Sequence, residues 1–478
     1  MNWRRGSSNK AQHLQRLIVR HGRAVRSVLR TLIVAQTAVV TWVARPWMTG
    51  DSGRYLELSQ NLLAGKGYVV SCGGRLLTEG WRLPGYPLFL ACVDWFFGSS
   101  PVFAILCQML LYLASVLLLY LLAKRLGGNA PTIFLLLCAA YPAVAYSSAL
   151  IMTEALCVFL VTVAFYMAVR PSMARCALAG LALGASAYFR PNLLPLGLVV
   201  AGGMVIAQKT VRPAVLVALF SIATVLPLAT WNYIHFRKFT PLPAVGGSGV
   251  PLFYGAWEAV LPTSDLASFN NGALPDPLLV KSGMVAQLRK ISLAVGGPPD
   301  STYGGFPSCD ARRSELADLM LRRAALRDAE KWPGAYLWHA VRVGVSNWFP
   351  TLSLRRFPEP LRLVLLADVI VVPLLGIIGS ISLARSRGAA RLLGSAALVA
   401  AAYFTLSSGW FISQSRLTVP IRLILVLSAA AFVAKLLGGR RNAESRSSEG
   451  ERPDADSQDV FQIGRDLEPV ERAAISHL

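Results

Sequence analysis

An acid closes the first long apolar stretch of this chain: Asp51 opens the segment DSGRYLELSQNLLAGKGY, and Arg82 follows in EGWRLPGYPLFL. Further along, Glu154, Arg190, Asn232, His235, Arg342 and Arg416 fall at or near the ends of other apolar stretches. Keeping ionisable groups beside a bilayer costs free energy, so their recurrence there marks a candidate site. Carboxylates and arginines at that depth suit a lipid-linked sugar phosphate, whose C1–O–P bond lies at the headgroup level while its chain stays in the bilayer. The leaving group is then a phosphate, which needs cations, and one carboxylate suffices to take the proton of an incoming hydroxyl. Glycoside hydrolysis, by contrast, usually requires two carboxylates. Asp51 could supply the base, and Arg82, Arg190 or Arg416 the phosphate contacts.

Each residue also has a plain structural alternative. Asp51 or Ser52 could N-cap the helix that Tyr55, Leu58 and Leu62 indicate by their spacing. Arg82 could be an interfacial anchor, Glu154 a cap or the partner of a buried arginine, and Arg190 and Arg416 snorkelling cations at span ends. Tyr86, Trp81 and Trp410 suit an aromatic belt. Tyr55, Tyr86, Asn232 and His235 are candidate walls of a substrate cavity, although His235, just past a span, reads more simply as structural.

The elements that must position these residues are helices in lipid. Of the 478 residues 54% are hydrophobic and only 15% charged, and the mean hydropathy is +0.50, where soluble domains run near ~25% charged. A formal charge of +22 could suggest nucleic acid, but Lys and Arg here flank apolar runs instead of forming one basic face. Apolar stretches near 28–48, 101–123, 131–149, 151–169, 176–190, 192–208, 213–232, 363–384, 391–408 and 418–437 predict an all-α polytopic membrane protein of about ten transmembrane helices. Alternating them across a bilayer puts Lys124, Arg125, Arg170, Arg175, Lys209, Arg212, Arg385, Arg387, Arg391, Lys435, Arg440 and Arg441 on one face, cytoplasmic by the positive-inside rule.

Residues 1–27 read as a basic cytoplasmic leader, either an amphipathic helix on anionic lipid or a disordered segment that orients the first span. Residues 28–232 form an N-terminal transmembrane module containing an outer loop at 49–100, whose PGYPLFLACVDWFF is too short to span and reads as an interfacial or re-entrant helix. Residues 233–360 make a second outer segment, a small mixed α or α/β cap with a charged helix near 310–331. Residues 361–437 supply C-terminal spans, and 438–478 a disordered cytoplasmic tail. Asp368 lies inside its span with no assigned role. The seven cysteines show no metal spacing. Cys72 and Cys309, both in outer segments, could be bonded to each other or remain two thiols. No DxD-type pair accompanies Asp51, which argues against a bound divalent ion but leaves metal use open, and no other cofactor is expected.

The ordered pieces DSGRYLELSQNLLAGKGY, WRLPGYPLFLACVDWFFG, AAYPAVAYSSALIMTEALCVFL, LAGLALGASAYFRPNLLPL, LPLATWNYIHFRKFTPLPAVGGSGVPLFYG and SQSRLTVPIRLILVLSAA resemble the C-type membrane glycosyltransferases that use polyprenyl-phosphate sugars. The resemblance is to the bacterial branch similar to lipid A aminoarabinose transferases and protein O-mannosyltransferases. It implies the GT-C fold and an inverting transfer from a polyprenyl-phosphate sugar to a glycan, lipid or protein. The place would be the periplasmic face of a bacterial inner membrane, with both termini cytoplasmic. It implies Asp51 as base, Glu154 in the same cavity, Arg82 on the donor phosphate, and Arg190 and Arg416 at matching basic positions. The chain departs from the family in two places. The mannosyltransferases carry an Asp-Glu pair where this chain has DS, and WNYIHF lacks the Arg that precedes the Asn in relatives. A transporter or flippase for lipid-linked glycans is the alternative, since it would use the same basic cavity without a base.

Overall fold

The computed structural model describes residues 22–208, 211–260, 283–299, 310–348, 359–411 and 415–449. Helix occupies each of the ten predicted stretches. In chain order the first elements are α1 (Gly22–Val43), α2 (Ser52–Leu63), strands β1 (Val69–Cys72) and β2 (Arg75–Thr78), α3 (Gly85–Phe97) and α4 (Pro101–Leu126). There follow α5 (Ala130–Ala140), α6 (Ala143–Ser148), α7 (Glu154–Ala168), α8 (Met173–Ser186), a 3-10 turn at Pro191–Leu193, α9 (Leu196–Gln208) and α10 (Arg212–Phe236). Then come α11 (Gly249–Val260), α12 (Met284–Ala294), α13 (Ala311–Lys331), α14 (Pro333–Ser346), α15 (Glu359–Ala384), α16 (Gly388–Ser408), a 3-10 turn at Ser415–Thr418, and α17 (Val419–Glu449). The chain divides into a unit of residues 1–435 and a unit of residues 436–478, whose described part is the helical stretch 436–449.

Among the described residues six helices are long and apolar enough to cross a membrane, namely α1, α4, Pro191–Gln208, α10, α16 and Arg416–Gly438. This is a multi-pass membrane protein. The expected count of about ten spans is not reached by length, and the reason is local. Pro142 has no N–H to continue a helix and Tyr141 turns to φ −107, ψ 79, so the stretch 131–149 becomes two short helices. Helices α7 and α8 have 15 and 14 residues. At ~1.5 Å per residue that is well under the ~30 Å of a hydrocarbon core.

Helix α1 buries only Leu29, Ile33 and Thr37, one residue per turn, and leaves Val28, Leu32, Val34, Val39 and Trp42 exposed. Exposed apolar side chains beside one narrow buried stripe are what a helix facing lipid shows. The bundle closes through small residues. In GLALG, Cβ atoms at Gly180 and Gly184 would stand 2.5 Å from Val217 O and 2.6 Å from Ser221 O, so α8 and α10 cross nearly backbone to backbone, the small-xxx-small solution.

Between α2 and α3 lies a two-stranded antiparallel hairpin pairing Val69 with Thr78 through to Cys72 with Arg75. Its turn, Gly73-Gly74, has φ +55 and +78, the doubly positive geometry that two-residue hairpins need. The hairpin lies in the first outer loop, and the stretch PGYPLFLACVDWFF, too short to span, forms the 13-residue helix α3. Cys72 is disulfide-bonded. Cys309, its partner in one of the two readings, lies outside the described residues, and Cys92, Cys107, Cys138, Cys157 and Cys176 are free thiols.

The charged helix expected near 310–331 is α13, capped by Asp310, which accepts from the N–H groups of Arg312 and Arg313. It packs with α11 and α12 around Phe253, Tyr254, Met284, Leu288 and Leu321. The predicted leader, apart from its last residues in α1, and the tail beyond 449 lie outside the described residues, as does the side chain of Asp368.

Candidate active site

Beneath the site is an apolar cluster in which Tyr55 of α2, Tyr86, Leu90 and Val93 of α3, Ile105 and Met109 of α4, and Ile151, Met152 and Leu156 around the start of α7 meet. Burial of these side chains brings the starts of α2, α3 and α7 together. Polar ties then set the register. Ile151 N donates to Trp47 O (2.9 Å), and Ser52 Oγ donates to Ile151 O (2.9 Å) while accepting from Thr49 N. The residues before Asp51 and before Glu154 are thereby stitched side by side. Gly85 N donates to Tyr188 O (3.0 Å), where a Cβ would come within 2.7 Å of that oxygen. The α3 start is thus pressed onto the turn that carries Arg190.

On this frame five predicted residues converge. Asp51 stands at the N-cap position of α2 but makes no capping hydrogen bond. Its carboxylate is shared instead by two guanidiniums, Arg82 Nη2 donating to Oδ1 (2.5 Å) and Arg416 Nη1 to Oδ2 (3.2 Å). Arg190 donates through Nη1 to the Arg416 carbonyl (2.7 Å), through Nε to Thr153 Oγ1 (2.7 Å) and through Nη2 to Glu154 Oε1. Arg190 is 7% exposed and Glu154 3%, so this pair is interior and Arg190 does not snorkel. Arg82, Asp51, Arg416, Arg190 and Glu154 form one connected string of three arginines and two acids, in which Arg190 joins Arg416 through the Arg416 backbone carbonyl.

Burial raises the Asp51 pKa, but the charges of Arg82 and then Arg416, with their hydrogen bonds, outweigh it and hold the carboxyl below its ordinary range. Arg82 lies over the Trp81 ring (3.9 Å) and farther over Tyr55 (5.6 Å). Tyr55 meets Tyr86 edge to face at 5.0 Å. Tyr86 is fully buried and donates to Gln108 Oε1 (2.7 Å), so it supports the site from below and is no belt residue. Two buried atoms of the cluster have no partner, Arg82 Nε and Glu154 Oε2.

Asn232 and His235 are not among these contacts. Asn232 is buried and its Nδ2 donates to the carbonyls of Thr240 (2.6 Å) and Leu242 (2.9 Å), tying down the chain that leaves α10. His235 stacks on Trp231 at 4.5 Å, with Nδ1 3.0 Å from Trp231 O. Arg342 instead reaches Glu258 O (3.3 Å) and His339 Nδ1 (3.4 Å). Sequence reasoning missed Glu79, Thr153 and Gln108. Of these only Glu79 left a signal, as the acid between the hairpin and WRLPGYP. Among the described residues no three His, Cys, Asp or Glu side chains are grouped to hold a metal ion.

No protein-family description and no curated protein matches this chain. Solved structures do. The archaeal oligosaccharyltransferase AglB from Archaeoglobus fulgidus, in complex with an inhibitory peptide and a dolichol-phosphate, is similar over 91% of this chain at 10% identity and a TM-score of 0.49. This chain covers 52% of that protein, about half its length. ArnT from Cupriavidus metallidurans bound to undecaprenyl phosphate is similar over 88% of this chain and 80% of its own, at 17% identity and a TM-score of 0.38. The apo state of the same ArnT gives 87%, 80%, 18% and 0.38.

Proposed function

We propose that this protein is an inverting glycosyltransferase that moves a sugar from a polyprenyl phosphate to a glycan, lipid or protein acceptor at the periplasmic face of the membrane. The observation that carries this reading is the Asp51 carboxylate held between Arg82 and Arg416, in one cluster with Arg190 and Glu154. In the reaction the acceptor oxygen attacks C1 from the face opposite the phosphate. Its proton passes to Asp51, the C1–O bond breaks, and the electron pair leaves with the phosphate. Arg82 and Arg416 stabilise the dianion that forms, which is where fixed guanidiniums contribute most. The unsatisfied Arg82 Nε and Glu154 Oε2 are a donor for a phosphate oxygen and an acceptor for a sugar or acceptor hydroxyl. Tyr55 walls the same space. The reaction as written needs no cofactor.

The test is transfer of radiolabelled sugar from a polyprenyl phosphate to membrane acceptors by the purified parent and by Asp51→Asn and Asp51→Ala. Loss of a general base lowers the rate about 10²- to 10⁴-fold, and both variants are expected in that range. Transfer at the parental rate by either one overturns the role of Asp51. A parent that binds donor yet never transfers favours the carrier alternative.

A further inference from the structure

Glu79, at the exit of β2, is 3% exposed. A carboxylate is kept that far from water only when donors surround it. Three do so. Oε1 accepts from the backbone N–H of Trp81 (2.7 Å) and of Arg82 (3.1 Å), and Oε2 accepts from Arg54 Nε (2.9 Å). Glu79 N donates to Tyr68 O (3.0 Å), and Tyr68 Oη donates to Arg82 O (3.0 Å). The peptide groups on both sides of the Arg82 Cα are therefore pinned, the N–H by Glu79 and the carbonyl by Tyr68. The same loop is anchored to α2, because Glu57 Oε1 accepts from Ser71 N (2.6 Å) and Asn61 Nδ2 donates to Val69 O (2.8 Å). Since α2 begins beside Asp51, both ends of the Arg82–Asp51 contact are built into one hydrogen-bonded frame.

We propose that Glu79 is the positioning residue that aims Arg82, resting on the reading above in which Arg82 takes the donor phosphate. Glu79 bonds to the cluster through the backbone N–H of Arg82, so it acts on that side chain through the backbone of residue 82. Both oxygens of Glu79 are used as acceptors. Glutamine offers one acceptor oxygen for three converging donors, so its amide N–H₂ must face either Arg54 or the two backbone N–H groups. Misplacing an arginine by about 1 Å in a preorganised site costs on the order of a hundredfold.

The test is a double-mutant cycle on the full chain in detergent, with undecaprenyl phosphate as the probe. Glu79→Gln is expected to weaken binding at least about tenfold, and to have no further effect in an Arg82→Met background. Equal losses in both backgrounds, or none, overturn the proposal. If Glu79→Gln does not fold, Tyr68→Phe removes the other pin, and its smaller loss must likewise vanish with Arg82→Met or the proposal fails. If the parent binds no undecaprenyl phosphate, the transferase reading fails separately, and Glu79 is judged by the same cycle read in melting temperature. Non-additive shifts then keep the proposal, and additive shifts overturn it.

Discussion

Asp51 is both the candidate base and the internal counter-ion of the arginines that a phosphate would use. With each carboxylate oxygen already taken by a guanidinium, an incoming phosphate must compete for Arg82 and Arg416. In the proposed reaction that competition would release an oxygen of Asp51 to the acceptor hydroxyl. Neutralising Asp51 removes that competition. Asp51→Asn, though expected to be slow in transfer, is therefore expected to bind undecaprenyl phosphate about tenfold more tightly than the parent, roughly 1.4 kcal/mol. A binding titration that shows weaker affinity refutes the competition. The Asp51 pairs also follow pH in a defined sense. Their pKa lies below the ordinary value, so their stabilisation is present above the unfolded carboxyl range and fades only as pH falls beneath it.

Helices meet here through small residues, and one crossing is a direct test. Gly184→Val places a side chain where Ser221 O stands 2.6 Å from the Cβ position, forcing α8 and α10 apart. The expected cost is about 1–3 kcal/mol, read as a lowered melting temperature in detergent, and an unchanged value would mean the crossing relaxes freely. Helix α14 carries a second prediction. Burial and the neighbouring Arg342 charge push His339 down to about 4, so it is neutral at pH 7 and its 3.7 Å approach to Glu258 is not an ion pair there. The unfolded chain binds that proton near the ordinary value of ~6.5. Stability should then fall as pH drops from that value towards 4, and fall less in His339→Asn. Equal pH slopes in parent and variant would contradict a buried neutral His339.

For the molecule as a whole, exposed apolar side chains on α1, α3, α4, α9 and α10 match a body immersed in lipid. Helix α14, which is not one of the six, also shows an exposed apolar stripe of Leu337, Trp338, Val341 and Val345 while Ala340 and Gly344 pack on the end of α16. Charge parity predicts which way the body faces. Alkaline phosphatase fused after Thr240 is expected to be active and after Gly128 inactive. The opposite pattern would put the Asp51 cluster on the cytoplasmic side.

Apolar stretches were enough to locate helix in all ten places, the short apolar helix α3 and the charged helix α13, because hydropathy and helical spacing are local properties, but they overstated how many of those helices reach spanning length. The acid and arginines of the site were equally visible, since ionisable residues at span ends stand out against apolar neighbours. What residue types could not decide was which alternative each one took. Asp51 could have capped α2 and Arg190 could have snorkelled. Contacts between residues far apart in sequence, Asp51 with Arg416 and Glu154 with Arg190, settled both, and no local pattern encodes such pairing. Glu79 shows the same limit. Its role lies in two backbone N–H groups and one distant arginine that only the folded hairpin brings to a single carboxylate.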